Sequence, residues 1–190
     1  MLSDATGGEG ITFVLGGARS GKSRYAESLV TALPQPWVYI ATAEPRDDEM
    51  AARIAEHKAR REAGWQTIEA PHEVPQALDT APPEAAVLVD CLTLWLSNVM
   101  HGAFDVDKTT LRLEEALVDK TTLRLEEALL RRKGTTVLVS NEVGLGIVPD
   151  NALSRAFRDT QGRLNQRLAA IAGRVVLVVA GQPLIVKGTS

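Results

Sequence analysis

Gly16-Gly17-Ala18-Arg19-Ser20-Gly21-Lys22-Ser23 meets every specified position of the phosphate-loop pattern G-x-x-x-x-G-K-[ST]. Its flanks agree with that pattern. Ile11-Thr12-Phe13-Val14-Leu15 before it reads as a buried strand, and Arg24 to Leu33 after it reads as a helix. Glycines let backbone N–H groups turn onto a phosphate with no Cβ in the way. The N-terminus of the following helix adds partial positive charge. Lys22 is placed to reach the β and γ phosphates, and the Ser23 hydroxyl to ligate Mg²⁺. A glycine-rich turn that binds nothing is the bland alternative, and the fully matched pattern in its proper context argues against it. A nucleoside triphosphate is therefore the expected ligand.

Working outward, strands and helices alternate. Trp37 to Thr42 reads as a second strand, set off by Pro34 and Pro36. Asp47, Asp48 and Glu49 give an acidic first turn to a helix running to about Ala63, with Met50 and Ile54 on a thin apolar face. Trp65 to Glu69 is a short strand, and Pro71 to Leu78 a weak helix. Ala86 to Asp90 is a buried strand ending in a carboxylate, and Leu92 to Met100 a broadly apolar helix. Thr136 to Ser140 is another buried strand, followed by the loop Asn141-Glu142-Val143-Gly144-Leu145-Gly146. Asp150 is read as the cap of a long helix reaching about Ala172, with Leu153, Phe157, Leu164, Leu168 and Ile171 on its buried side. Val175 to Ala180 and Leu184 to Lys187 complete the sheet. The alternation predicts an α/β fold of the P-loop NTPase (RecA-like) type, with a mostly parallel central sheet flanked by helices.

The totals narrow the classes of function. The chain of 190 residues suits one domain, taken as 11–190 behind a loose polar tail at 1–10. A formal net charge of −3 gives no reason to expect nucleic acid or a membrane surface as partner. No apolar run approaches the ~18 residues of a spanning helix, and the tail does not read as a signal peptide. The single cysteine, Cys91, excludes an internal disulfide and suits a reducing cytoplasm.

One stretch stands apart. The 12 residues Val106 to Leu117 recur unchanged as Val118 to Leu129. The unit is too short for a solenoid repeat, which needs at least ~20 residues. An α-helix advances ~100° per residue, so 12 residues displace the phase by ~120°. Both copies cannot bury the same leucines on one face of a straight helix. One copy is expected to dock and the other to extend, bulge or loop out; equal burial of Leu111 and Leu123 would refute this.

Several residues are candidates for chemistry. Arg53, His57, Arg60 and Arg61 share one side of the second helix, with Lys58 adjacent. Such a stripe is ordinarily a solvated face. Here the helix follows the second strand, where it can lie beside the phosphates. Nearby cations favour a neutral, nucleophilic imidazole and would stabilise a transferred phosphoryl or nucleotidyl group. Asp90 is placed either to hold Mg²⁺ with Ser23 or to cap a helix. Glu142 either binds magnesium or substrate, or ties down its own loop. Arg155, Arg158, Arg163 and Arg167 are read as surface partners for acids, and His72 and His101 as surface residues.

Together these pieces resemble the bifunctional adenosylcobinamide kinase / adenosylcobinamide-phosphate guanylyltransferase family of cobalamin synthesis. The matching residues are Gly16 to Ser23, Tyr39-Ile-Ala-Thr42, Asp47-Asp-Glu-Met-Ala-Ala-Arg-Ile54 with His57, Trp65 to Glu69 and Asp90-Cys-Leu-Thr93. Further on, Ser140-Asn-Glu-Val-Gly-Leu-Gly-Ile-Val-Pro149, Phe157-Arg-Asp and Gly162-Arg-Leu-Asn-Gln166 match as well. The extra 12-residue copy is the departure. The resemblance implies two reactions: phosphorylation of adenosylcobinamide with ATP or GTP, then transfer of GMP from GTP through a GMP–histidine intermediate. It places the nucleophile on His57, with Lys22 as the other catalytic residue. It also implies nucleotide contacts at Gly16, Gly17, Ala18, Arg19, Ser20, Gly21, Lys22, Ser23, Thr42, Ala43, Glu44, Lys58, Ala59, Arg60, Arg61, Glu69 and Asp90. Mg²⁺ on Ser23 and Asp90, small-molecule substrates and a homotrimer complete the expectation. The alternatives are a single-reaction P-loop kinase and a GTP-dependent switch, the latter lacking an N-K-x-D guanine loop here.

Overall fold

A computed structural model describes residues 8–60, 63–103 and 111–189, with side-chain surroundings for all of these except 53, 60, 102, 103 and 111–116. The elements in chain order are β1 (Ile11–Gly16), α1 (Lys22–Thr31), β2 (Trp37–Ala41), α2 (Asp48–Arg60), β3 (Trp65–Glu69), α3 (Val74–Thr80) and β4 (Ala86–Asp90). They continue with α4 (Leu92–Ala103), α5 (Leu111–Arg131), β5 (Thr136–Asn141), α6 (Ala152–Ile171), β6 (Arg174–Val179) and β7 (Gln182–Lys187). Residues 1–7 of the expected tail lie outside the described residues. Gly8 is part of the fold: its carbonyl accepts from the N–H groups of Ile11 (3.0 Å) and Gly173 (2.8 Å).

The seven strands lie in the order β3-β2-β4-β5-β1-β6-β7. All pairs are parallel except β6–β7, which is antiparallel. Strand alternation builds two cores. Ile11 and Phe13 of β1 face Leu78, Trp95, Leu96, Leu125, Leu129, Leu164 and Leu168, under α3 to α6. Val14 faces the other way, with Ala26 and Val30 of α1, Tyr39, Leu88 and Val139. Strands covered on both sides are the physical reason for the continuous apolar runs seen in the sequence.

This order matters for the site. β5 separates the phosphate-loop strand β1 from β4, and the carboxyl ends of all three open at one edge of the sheet. Gly16 stands opposite Asn141, and Asp90 opposite Val139. A ligand at that edge meets the loop after β1 and the last residues of β4 and β5 together.

Two details of the sequence reading are corrected. The cap of α6 is Asn151, whose Oδ1 accepts from the N–H of Ser154 at 2.8 Å, and not Asp150. One residue decides this, because capping needs extended backbone at the cap and an oxygen reaching three residues on. Leu153, expected on the buried side of α6, is 48% exposed, whereas Leu164 and Leu168 are buried. The first turn of α6 projects beyond the layer that covers its later turns.

The duplicated stretch meets α5. In the second copy Val118, Leu125 and Leu129 are buried. Leu117, the first-copy equivalent of Leu129, is 44% exposed where Leu129 is 1%. The two positions thus differ in burial, while Leu123, one of the pair whose equal burial would refute the phase argument, is 51% exposed. The first copy's last residues continue the helix rather than bulging from it. The side chain of Leu111 lies outside those described.

Candidate active site

Backbone geometry shapes the phosphate loop before any ligand arrives. Gly21 has φ +93°, in the left-handed region that glycine enters without strain. A Cβ on Gly16 would stand 2.5 Å from Ser20 Oγ and 2.7 Å from Val178 O. The loop is pinned from three sides: Ser20 N–H donates to Gly17 O (3.3 Å), Glu142 N–H to Gly16 O (3.2 Å) and Gly181 N–H to Ser20 O (2.8 Å). Gly181 belongs to the tight β6–β7 turn, where Ala180 and Gly181 both have positive φ, a hairpin geometry that bends the edge of the sheet against the loop.

Lys22 begins α1 and is 9% exposed. Its Nζ donates to Gly17 O at 3.0 Å, folded back across the loop. Desolvation on burial pushes its pKa below the ordinary lysine value, opposed by attraction to Cys91 and Asp90. Arriving phosphates would supply the negative charge that this ammonium lacks in its buried position.

Asp90 ends β4. Its Oδ2 accepts from the Tyr39 hydroxyl at 3.0 Å, and this bond takes the place of the helix-cap role. Beside it Cys91 is buried and free. Burial first, and then the charge of Asp90, push the thiol up to about 11. Thr42 holds this corner together. Its hydroxyl donates to Cys91 O and accepts from Cys91 N–H, both at 2.8 Å. Asn98 Nδ2 donates to Thr42 O at 2.8 Å and its Oδ1 accepts from Arg46 at 2.9 Å, which fixes the chain between β2 and α2.

A cavity of about 580 Å³ opens over these groups. Ala18 to Ser23, Asp90 and Cys91 line it on one side; Met50, Ile54, His57 and Lys58 of α2 line it on another. Tyr39, Ala41, Ala43, Leu94 and Asn141 also line it, as do Glu69 and Gly181. Lys58 pairs with Glu69 at 2.8 Å, with both side chains about half exposed (51% and 53%). Such a pair stabilises the protein by no more than ~1 kcal/mol and exchanges readily for a bound anion.

Of the residues expected from the sequence, Ala18, Arg19, Ser20, Gly21, Lys22, Ser23, Ala43, His57, Lys58, Glu69 and Asp90 therefore line one cavity. Thr42 is fully buried and serves the backbone instead. Glu44 pairs with Arg46 (2.8 Å) and His72 (3.4 Å) in the connection between β2 and α2. The hydrogen bond from Arg46, foremost, lowers its pKa. Ala59 is exposed. The side chains of Arg53 and Arg60, and all of Arg61, lie outside the described residues. Glu142 Oε1 accepts from Gly144 N–H at 2.8 Å and so ties down its own loop. Arg167 pairs with Glu126 at 2.6 Å and Arg158 with Asp159 at 3.1 Å, whereas Arg155 donates to the carbonyls of Pro149 and Asp150.

Met50 and Ile54 are placed by the structure: the thin apolar face they give α2 looks into the cavity. Tyr39, Cys91 and Asn141 stand among the matching residues without a site role, and Leu94 is not among them. Tyr39, Cys91 and Asn141 had a usable signal, lying at or near the carboxyl ends of parallel strands.

Comparison with known proteins follows the same lines. The sequence model of the cobinamide kinase / cobinamide phosphate guanyltransferase family matches residues 12–186. The chain belongs to this family. Curated relatives carry the name bifunctional adenosylcobalamin biosynthesis protein. The Salmonella typhimurium CobU is 45% identical over 173 residues, covering 88% of this chain and 94% of the relative. The Pseudomonas aeruginosa CobP is 44% identical, covering 92% and 96%. The Escherichia coli CobU is 42% identical, covering 88% and 94%. Two solved structures share the fold alone. A Pyrococcus horikoshii OT3 protein has a TM-score of 0.53 at 8% identity, covering 96% of this chain and 89% of its own. An ATPase of a bacterial type III secretion system has a TM-score of 0.50 at 11% identity, covering 88% and 50%. As a cobinamide kinase / guanylyltransferase, the enzyme is a P-loop transferase of cobalamin biosynthesis.

Proposed function

We propose that this one cavity carries both family reactions, phosphoryl transfer on the loop side and GMP transfer through His57. The observation that supports this most is the sharing of a single space by Lys22, Ser23 and Asp90 with His57 and Lys58. In the kinase step Lys22 leaves Gly17 O and turns onto the terminal phosphates, while the adenosylcobinamide hydroxyl attacks the γ-phosphorus; the bond to the β–γ bridging oxygen breaks, ADP or GDP leaves, and the hydroxyl proton passes to solvent. Ser23 and Asp90 are the residues that would hold Mg²⁺. Their hard oxygen donors fit a cation that takes one or two protein ligands plus substrate phosphates. The ion would neutralise charge on the phosphates.

In the second reaction a His57 ring nitrogen attacks the α-phosphorus of GTP. The bond to the bridging oxygen breaks and pyrophosphate leaves. Adenosylcobinamide phosphate then attacks the GMP–His57 phosphoramidate through a phosphate oxygen, which regenerates the imidazole and yields adenosylcobinamide-GDP. Two displacements replace one difficult transfer. Met50, Ile54 and Leu94 form the apolar wall against which a flat base would pack.

Assembly as a homotrimer belongs to the same reading. Its support is exposed apolar side chains in two places: Leu145 (84%), Ile147 (97%) and Val148 (61%) in the loop after β5, and Leu184 (59%) and Val186 (63%) on the edge strand β7. Among the described residues no helix is long and apolar enough to cross a membrane. The soluble substrates and the free Cys91 suit a cytoplasmic setting.

The test is a product assay with adenosylcobinamide and each nucleotide. The account expects a phosphorylated product with ATP or GTP, and a GDP-linked product only when GTP is supplied. Phosphorylation that stops there in the presence of GTP would instead leave a single-reaction kinase.

A further inference from the structure

The Tyr39 hydroxyl is the polar group on the sheet that reaches Asp90. Tyr39 lies on β2 opposite Leu88, and Asp90 stands two positions further along β4, on the same face. Parallel pairing thus brings the phenol alongside the carboxylate, and Tyr39 OH donates to Oδ2 at 3.0 Å. The ring has little freedom to leave. It is 3% exposed, and it meets the Trp65 ring edge-on at a centroid distance of 5.8 Å. Among the described residues no other side chain hydrogen-bonds this carboxylate. Tyr39 also lines the cavity, so the bond sits at its wall and not in the core behind it.

We propose that Tyr39 is a positioning residue for the metal–phosphate end of the site: its hydroxyl holds one oxygen of Asp90 and presents the other to Mg²⁺ or a metal-bound water. The inference rests on the reading of Asp90 as a metal-holding residue. A carboxylate on a two-bond side chain otherwise rotates, and one fixed oxygen sets the direction of the second. Groups that orient a metal ligand from behind typically alter metal affinity about 10-fold or more when removed. Tyr39→Phe deletes the hydroxyl alone and keeps the packing against Trp65.

The experiment titrates Mn²⁺, read by electron paramagnetic resonance, into wild type, Tyr39→Phe and Asp90→Asn saturated with a non-hydrolysable GTP analogue. Analogue affinity in EDTA and melting temperature are measured in parallel. Tyr39→Phe should bind Mn²⁺ about 10-fold more weakly, against a clearly smaller loss of metal-free analogue affinity, and Asp90→Asn should bind it more weakly still. Weak Mn²⁺ binding in Asp90→Asn beside wild-type binding in Tyr39→Phe would overturn the role of Tyr39 and leave the metal site standing. Wild-type binding in both would remove the metal from Asp90 and take the inference with it. An equal loss in EDTA and with metal would make Tyr39 a packing residue, which also overturns the proposal.

Discussion

A methyl group on Gly16 would press on Ser20 Oγ at 2.5 Å and on the Val178 carbonyl at 2.7 Å, whereas one on Gly17 would meet nothing within 4 Å. The two neighbours should therefore respond differently to alanine. Gly16→Ala should cost about 1–3 kcal/mol in urea unfolding, because a backbone carbonyl cannot step aside. Gly17→Ala should stay within about 0.5 kcal/mol. The pattern of the sequence already marked Gly16 and Gly21 as specified and Gly17 as free. What it did not mark was the group that meets Gly16, since Val178 lies on a strand far along the chain.

Cys91 gives a residue-scale prediction with a sign. Its thiol is raised from 9.0 to about 11, so the folded state favours the protonated form. The resulting contribution to stability is complete below pH 9 and is lost as pH rises toward 11. Subtracting the pH–stability curve of Cys91→Ala from that of wild type should isolate a fall across that window. A flat difference would contradict the burial argument.

At the scale of elements, α5 shows how a repeated sequence loses its repeated environment. Leu129 is 1% exposed and Leu117 is 44% exposed, although both end the same 12-residue unit. Leu129→Ala should cost about 2–5 kcal/mol and Leu117→Ala about 0.5 kcal/mol or less, by thermal or urea unfolding. Similar costs would mean that both copies pack. The sequence shows this phase conflict from helix geometry alone; which copy docks depends on α3 and α6, and periodicity is silent there. The same limit explains α2. Met50 and Ile54 read as a thin apolar face with no stated partner, and that face lines a cavity, because apolar spacing does not distinguish a core from a ligand wall. The cap of α6 fell on Asn151 rather than Asp150 for a similar reason: two adjacent capping residues are equivalent until backbone dihedrals separate them.

For the whole molecule, the α/β architecture was legible because β1, β2, β4 and β5 each read as an apolar run followed by a helix. Its order was not. The insertion of β5 between β1 and β4 brings Asn141 beside Gly16, and no local pattern encodes that neighbour. Sedimentation tests the assembly proposed above: wild type should run as three chains, and Ile147→Glu with Leu184→Glu should run as smaller species. A monomeric wild type would contradict it.

The central claim concerns His57, and labelling reads it directly. Enzyme incubated with [α-³²P]GTP should retain label that survives alkali and is released by acid, as a phosphoramidate does. His57→Ala should retain none while still phosphorylating adenosylcobinamide. Undiminished label on His57→Ala would contradict the account.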